Sequence, residues 1–333
     1  MPTKPSEMST LPPASALMVS SAFCKTNSVR STRVPTSAER ATVTDAISKR
    51  LLDYWPLPNA TGTVNYIANV RNNDDDDTGS LRIDHRLSQH DQLSARWTEY
   101  RASSFVGGTT PLTGGNQGEP LQRSLMFGHT HIFSSRFLNE FRLGYSRNEQ
   151  EREVQDFGLN AATIFTDANG KPLSGVIDAT KDPLNSGLPT ITIAGGYAGL
   201  GTNLNMPQGR VSGTTELFEN MSLSAPLGWT AHSWRWGFHI RREDLRRYLN
   251  RASRGAFNFA NFADFARGQV NTSNFRTGST LASWRRYPWD LYWQDEFKVR
   301  ENLTLNFGLR YEYPSAVEEL SGHATNFVPG VGP

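Results

Sequence analysis

The sequence predicts an all-β chain: an antiparallel transmembrane β-barrel segment of about eight or nine strands, incomplete as a barrel, with long external loops and a short N-terminal helix. Two observations carry this expectation. From about residue 79 apolar and polar residues alternate with a period of two, and the connections between alternating stretches switch between short and long.

The alternation is cleanest late in the chain. Trp234, Trp236, Phe238 and Ile240 alternate with Arg235, Gly237, His239 and Arg241. Leu303, Leu305, Phe307, Leu309, Tyr311 and Tyr313 alternate with Thr304, Asn306, Gly308, Arg310 and Glu312. That run is as long as the roughly 9–11 residues a tilted barrel strand needs. Earlier stretches follow the same rule: Leu81 and Ile83 against Arg82 and Asp84, Leu93, Ala95 and Trp97 against Ser94 and Arg96, and Phe141, Leu143 and Tyr145 against Glu140 and Arg142. The facing of 121–133 stays open, because His129 and His131 share a side with Phe127. In 291–299 Asp295 interrupts the apolar face. Short connections are expected near 87–91, 134–136, 225–230 and 300–302, and long ones near 102–120, 148–212 and 243–288. A soluble sandwich has turns of more even length.

The cost of charge in hydrocarbon assigns the faces. Arginine at the midplane of a barrel's lipid face costs about 2–4 kcal/mol. Trp234, Trp236, Phe238, Ile240, Leu303, Leu305, Phe307 and Leu309 are therefore expected to face lipid, and Arg82, Glu140, Arg142, Arg235, Arg241, Arg310 and Glu312 the lumen. Tyr100, Trp289, Tyr311 and Tyr313, near strand ends, would form interfacial girdles.

Residues 1–35 are rich in Ser, Thr and Pro without periodicity and are expected to be irregular or disordered. Residues 36–78 read as a helix and linker. Thr36 and Glu39 have capping-box spacing, Val43, Ile47, Leu51 and Tyr54 share one helical face, and Trp55-Pro56-Leu57-Pro58 ends it. Residues 79–320 would be the partial barrel and 321–333 a truncated tail or loop. A second short helix is expected from Asn261 to Arg267, anchored by Phe262 and Phe265 and stopped by Gly268.

Composition excludes more than it assigns. The net charge is +2 and the mean hydropathy −0.52. No nucleic-acid footprint stands out, and no apolar run reaches the roughly 18 residues of a helical span. The single Cys24 permits neither an intrachain disulfide nor a zinc–thiolate framework. No nucleophile elbow, phosphate-cradling loop or metalloprotease motif is present, so no enzyme activity and no cofactor are expected. His129 and His131 could bind a metal from one strand face, but no carboxylate or third His lies near them in sequence, so a strand-face or interfacial role is expected. The run Asn73 to Asp77 fails calcium-loop spacing and reads as a solvated acidic connector. Arg241, Arg242, Arg246, Arg247 and Arg251 lie where a strand meets a long loop and suit either anionic lipopolysaccharide or an ordinary solvated loop base. The first residues lack a secretory signal, which suggests that the true beginning lies elsewhere.

Several ordered blocks resemble the barrel of TonB-dependent receptors, specifically their Oar-like branch: residues 81–88 with 93–97, Leu138 to Tyr145, Phe262-Ala263-Asp264-Phe265, Gln294 to Val299, and Asn302 to Glu312. Leu51 to Asn59 looks like the family's linker ahead of these strands. The resemblance covers roughly residues 40–320. It implies a chain about three times longer with a signal peptide, a small β-sandwich, a plug and a 22-stranded barrel. It further implies import or surface binding of a large solute, energised through TonB by a plug that these residues do not contain. The expected partners are outer-membrane lipid, lipopolysaccharide and that solute, and the expected location is the outer membrane. Rival readings are a non-transporting adhesin or structural barrel, and a secreted β-sandwich binding module.

Overall fold

A computed structural model describes residues 14–111, 114–201, 203–228 and 230–323. Its backbone is one antiparallel meander. The strands are β1 (Ala14–Thr32), β2 (Tyr66–Arg86), β3 (Asp91–Val106), β4 (Asn116–Gly118), β5 (Leu121–Ser134), β6 (Phe137–Val154), β7 (Thr190–Ile193), β8 (Gln208–Leu227) and β9 (Thr230–Leu249). They continue with β10 (Ala256–Phe259), β11 (Thr272–Asn274), β12 (Ala282–Arg286), β13 (Trp289–Arg300), β14 (Leu303–Tyr313) and β15 (Glu318–Glu319). Among the described residues three α-helices accompany them: α1 (Ser37–Ala41), α2 (Ala46–Leu52) and α3 (Phe262–Ala266).

Twelve of these strands form the main sheet. Three pairs are single paths with a break. β4 and β5 both lie between β3 and β6 and are separated at Glu119-Pro120. β12 and β13 both pair with β9 and are separated at Tyr287-Pro288. β15 resumes the path of β14 beside β12. Proline cannot donate to a ladder, yet its carbonyl still accepts: Ala102 donates to Pro120 and Arg241 to Pro288, each at 2.9 Å. Nine paths thus run up and down in sequence order: eight from β2 onward, the lower of the two numbers the alternation predicts, and β1, which it does not predict. Among the described residues β1 pairs only with β2 and β14 only with β13, so the sheet is open at both edges.

Short connections, 87–90, 135–136, 228–229 and 301–302, join the strands at one end. Every longer connection leaves the other end: 33–65, 107–115, 155–207 and 250–281. The strands outrun the expected loops, because β8 and β9 are 20 residues each. At about 3.3 Å per residue such strands reach well beyond a hydrocarbon layer.

Two expectations are corrected. Residues 14–32, read as irregular, form the 19-residue β1, paired along its length with β2. Ser and Thr suit an extended ladder, and pairing supplied by a neighbour replaces the missing periodicity. The acidic run Asn73 to Asp77 is not a connector but the middle of β2, with alternate carboxylates on opposite faces. The linker therefore ends at Tyr66, not at residue 78. It also lies between two strands rather than ahead of the first. Residues 1–13 and 324–333 lie outside the described residues.

The expected N-terminal helix is two. Thr36 and Glu39 form a reciprocal capping box, with Glu39 N–H donating to Thr36 Oγ1 at 3.2 Å and Thr36 N–H to Glu39 Oε2 at 2.8 Å. Asp45 then caps a second start by accepting from Ser48 N–H at 2.7 Å. Val43 and Leu51 are nevertheless buried together, with Ile47 and Tyr54 packed against them. The α3 helix appears as expected, capped by Asn261 and left through Gly268 at φ +71°.

The buried hydrophobic residues are not under the main sheet. They lie in the long connections and at the strand tops beside them. Trp55 meets Phe265 edge-on at 5.4 Å and donates its indole N–H to Ala198 O at 2.7 Å, so connections 33–65, 155–207 and 250–281 converge. Ser48 Oγ donates to Phe265 O at 2.7 Å, and a small sheet of β11, β10 and β7 completes this cap. By contrast Leu309 is 74% exposed and Phe307 54%. A sandwich would cover such residues with a second sheet; here the apolar face of the sheet lies open.

One close approach demands glycine. A Cβ at Gly237 would sit 2.1 Å from Glu219 O and 2.9 Å from the Tyr292 ring, which lies directly across the ladder. Gly237→Ala is expected to cost about 1–3 kcal/mol through forced strand displacement, read as a lower denaturant midpoint.

Candidate functional site: a two-faced wall and its cap

Directly paired residues of neighbouring strands share a face, so the register carries one face across the sheet. Starting from Leu309, the pairing runs through Trp293, Trp236, Met221, Asn139, His131 and Asp91. The parity holds along the bodies of these ladders and slips only at their ends, beside Ser134, beside Arg300 and at β15. Trp234, Trp236, Phe238, Ile240, Leu303, Leu305, Phe307 and Leu309 all fall on this aromatic face. Arg82, Glu140, Arg142, Arg235, Arg241, Arg310 and Glu312 all fall on the opposite, polar face. The register also decides 121–133: Leu125, Phe127, His129 and His131 join the aromatic face. Tyr100, expected in a girdle with Trp289, Tyr311 and Tyr313, pairs with Thr78 and Gln122 on the polar face.

On the aromatic face apolar residues occupy a band, interrupted by Glu219 opposite Phe238 and Asp295 opposite Trp234, and further charges lie above it toward the cap. In β9 the band is Trp234 to Ile240, followed by Arg242, Asp244 and Arg246; in β3, Leu93 to Trp97 is followed by Glu99 and Arg101. Arg242 and Arg285 both reach Asp244, at 2.8 and 2.5 Å. The arginine cluster does not act as one surface. Arg242 and Arg246 are on the aromatic face, Arg241 and Arg247 on the polar one, and Arg251 beyond the strand.

The polar face joins some of the expected residues into a ladder of charge. Arg310 reaches Asp290 at 2.9 Å as well as Glu312 on its own strand. Asp290 lies 3.5 Å from His239, which stacks on Phe218 and reaches Glu216 at 3.3 Å. Tyr292 Oη donates to Asn220 Oδ1 at 2.9 Å. Of the other expected residues, Arg82 pairs locally with Asp84, Arg142 with Glu140 and Arg241 with Glu243, while Arg235 lies across the ladder from Ser222 and Gln294. Sequence reading missed Glu216, His239, Asp290 and Tyr292. Their shared parity with Arg235 and Arg310 was visible, but only the register shows which strands are neighbours.

Asp295, the exception in the apolar face of β13, has a reason. It sits beside His232 of β9, whose Nδ1 is 2.7 Å from Asp295 Oδ2, while His232 stacks on Phe297 and Trp234.

The cap is held by charge as well as by its core. Arg254 and Asp156 are almost wholly buried, 3.6 Å apart, and join the 250–281 and 155–207 connections. Asp156 Oδ2 also accepts from Leu188 N–H at 2.7 Å. At the cap's base Arg33 lies over the Tyr197 ring at 4.0 Å and bonds Glu39 at 2.7 Å. Burial pushes the Glu39 carboxyl up, but bonds from Tyr197, from Thr36 and from Arg33 outweigh it and hold the group below its ordinary range. Burial and the facing Glu39 push the Tyr197 hydroxyl up to about 12. A depressed carboxyl stabilises the fold fully above its ordinary value of 4.5 and less as pH falls through the lower folded value. Protease resistance of the 33–65 connection should hold down to about pH 4.5 and decline below it. Glu39→Gln should flatten that acid limb.

Open edges, alternating faces, short turns at one end and a folded cap at the other define a wall of an outer-membrane β-barrel. The profile of the outer membrane beta barrel domain family matches residues 6–333, and the chain belongs to that family. The structure is similar to that of the outer membrane transporter YddB from Escherichia coli, with a TM-score of 0.54 and 11% identity. The match covers 92% of this chain and 33% of that one, so the chain spans about a third of its structural relative. A search of curated proteins finds no match. The protein is thus placed in the outer membrane.

Proposed function

We propose that these nine strands are part of the barrel of a TonB-dependent receptor of the Oar-like branch, which takes up or binds a large solute at the cell surface. The observation that supports this most is the open sheet with one predominantly aromatic face running across it. In hydrocarbon every backbone N–H and C=O needs a partner, so the edges of β1 and β14 call for further strands. The aromatic face then meets lipid, since turning the sheet over would place Arg235, Arg241 and Arg310 in hydrocarbon. The polar ladder faces the lumen, where a plug or solute would meet it. Solute capture falls to the cap, whose connections share one core and so are organised in advance. Arg242, Arg246 and Arg285, above the apolar band, would meet the phosphates of lipopolysaccharide. TonB would act through a plug outside these residues.

Reading the genomic sequence on both sides of this frame tests the proposal. In-frame segments encoding a plug and further barrel strands are expected. Stop codons and unrelated genes immediately adjacent would overturn it, and a barrel continuation without a plug would favour an adhesin.

A further inference from the structure

The sequence offers His129 and His131 without a third ligand, and the fold supplies one from 38 residues away. Asp91 opens β3 directly opposite His131 of β5. Its Oδ1 lies 2.6 Å from His131 Nδ1 and 3.1 Å from His129 Nε2. These ligand atoms all lie within 4.8 Å of one another. We propose that Asp91, His129 and His131 form a three-ligand site for a divalent transition-metal ion, zinc or a comparable borderline cation, at the short-turn end of the aromatic face.

Three features favour a metal over a simple hydrogen-bonded cluster. The donor set is two imidazoles and one carboxylate, which suits borderline cations and leaves a fourth position open. Donors around a tetrahedral zinc at about 2.0–2.2 Å stand about 3.3–3.5 Å apart. Both imidazole nitrogens converge on Asp91 Oδ1, at 2.6 and 3.1 Å, so side-chain shifts of under about 1 Å bring the three donors to that spacing around an ion. The supports are also in place. His129 and His131 are fixed on one side of a paired strand, and Phe133 meets the His131 ring at 4.3 Å. Ser88 Oγ donates to Asp91 Oδ2 at 2.7 Å, orienting the carboxylate as an outer partner does in metal sites.

Access fits as well. The three side chains are between a quarter and a third exposed, and they adjoin the 87–90 turn, where an ion can arrive from water. The His232–Asp295 pair on β9 and β13 differs: it has two ligands, and its side chains are only about a tenth exposed. A bound ion would clamp β3 to β5 where the polar side chains enter the aromatic face. This inference is independent of the transport proposal.

The test is titration of the full chain, refolded in detergent, with zinc chloride and separately with cobalt chloride. One equivalent of zinc is expected to bind, and cobalt to develop the visible absorption of a low-coordinate site. His129→Ala with His131→Ala should weaken zinc binding by at least about tenfold and abolish the cobalt band. Asp91→Asn should weaken it too, whereas His323→Ala at the far end should change nothing. Where a variant does not refold, the unmutated chain still decides, since zinc should protect His129 and His131 from diethyl pyrocarbonate, mapped by peptide mass. The proposal is overturned if the double variant binds zinc as the parent does, if the parent binds none, or if zinc leaves both histidines as reactive as before.

Discussion

Replacing Asp156 by alanine is expected to destabilise the cap by about 3–5 kcal/mol, because it strands the Arg254 guanidinium in a dry interior. Burial already pushes the Arg254 guanidinium down from its ordinary value, and Asp156 is the charge that opposes this. The loss should be confined to the cap, since both residues lie outside the strands of the sheet. Hydrogen exchange would show it as lost protection in 155–207 and 250–281, with β8 and β9 unchanged. A paired change, Asp156→Leu with Arg254→Met, should recover much of the loss by removing both charges. If the single and double variants are equally impaired, the ion pair is not what joins the two connections.

The second large effect concerns the faces of the wall. Trp236 lies in the middle of the β9 aromatic band, flanked across the ladder by Met221 and Trp293. Trp236→Arg should cost about 2–4 kcal/mol in denaturant titrations of the protein inserted in phospholipid vesicles. Asn306→Arg, on the opposite face and across from Glu296, should stay within about 0.5 kcal/mol. Equal penalties at the two positions would mean that the faces do not differ in their surroundings, and the assignment of lipid and lumen would fall.

Much of the wall was legible because it rests on a local rule. Period-two alternation in 234–241 and 303–313 sets the facing of each strand within itself, and turn chemistry near 87–91 and 300–302 marks the hairpin ends. Both signals are short-range. They failed for β1, whose Ser and Thr residues are extended only because β2 pairs with them, and for Asn73 to Asp77, where charge looks like a loop whether or not a neighbour holds it in a ladder. The cap was illegible for another reason. Trp55, Ala198 and Phe265 meet across more than two hundred residues, and nothing in their local sequence names the partner.

The same division holds for the candidate sites. By itself the sequence determined the strand class, the up-and-down rhythm from β2 onward and, within the apolar bands of 234–241 and 303–313, the sorting of arginines and aromatics onto opposite sides of the strand. Those follow from backbone geometry and from the cost of placing a guanidinium in hydrocarbon. Only the tertiary structure decided that the excursions share one core, that Asp295 is balanced by His232, and that Asp91 stands between His129 and His131. Each of these depends on register between strands, which is set by the summed pairing of whole ladders and so is not carried by any single stretch of residues.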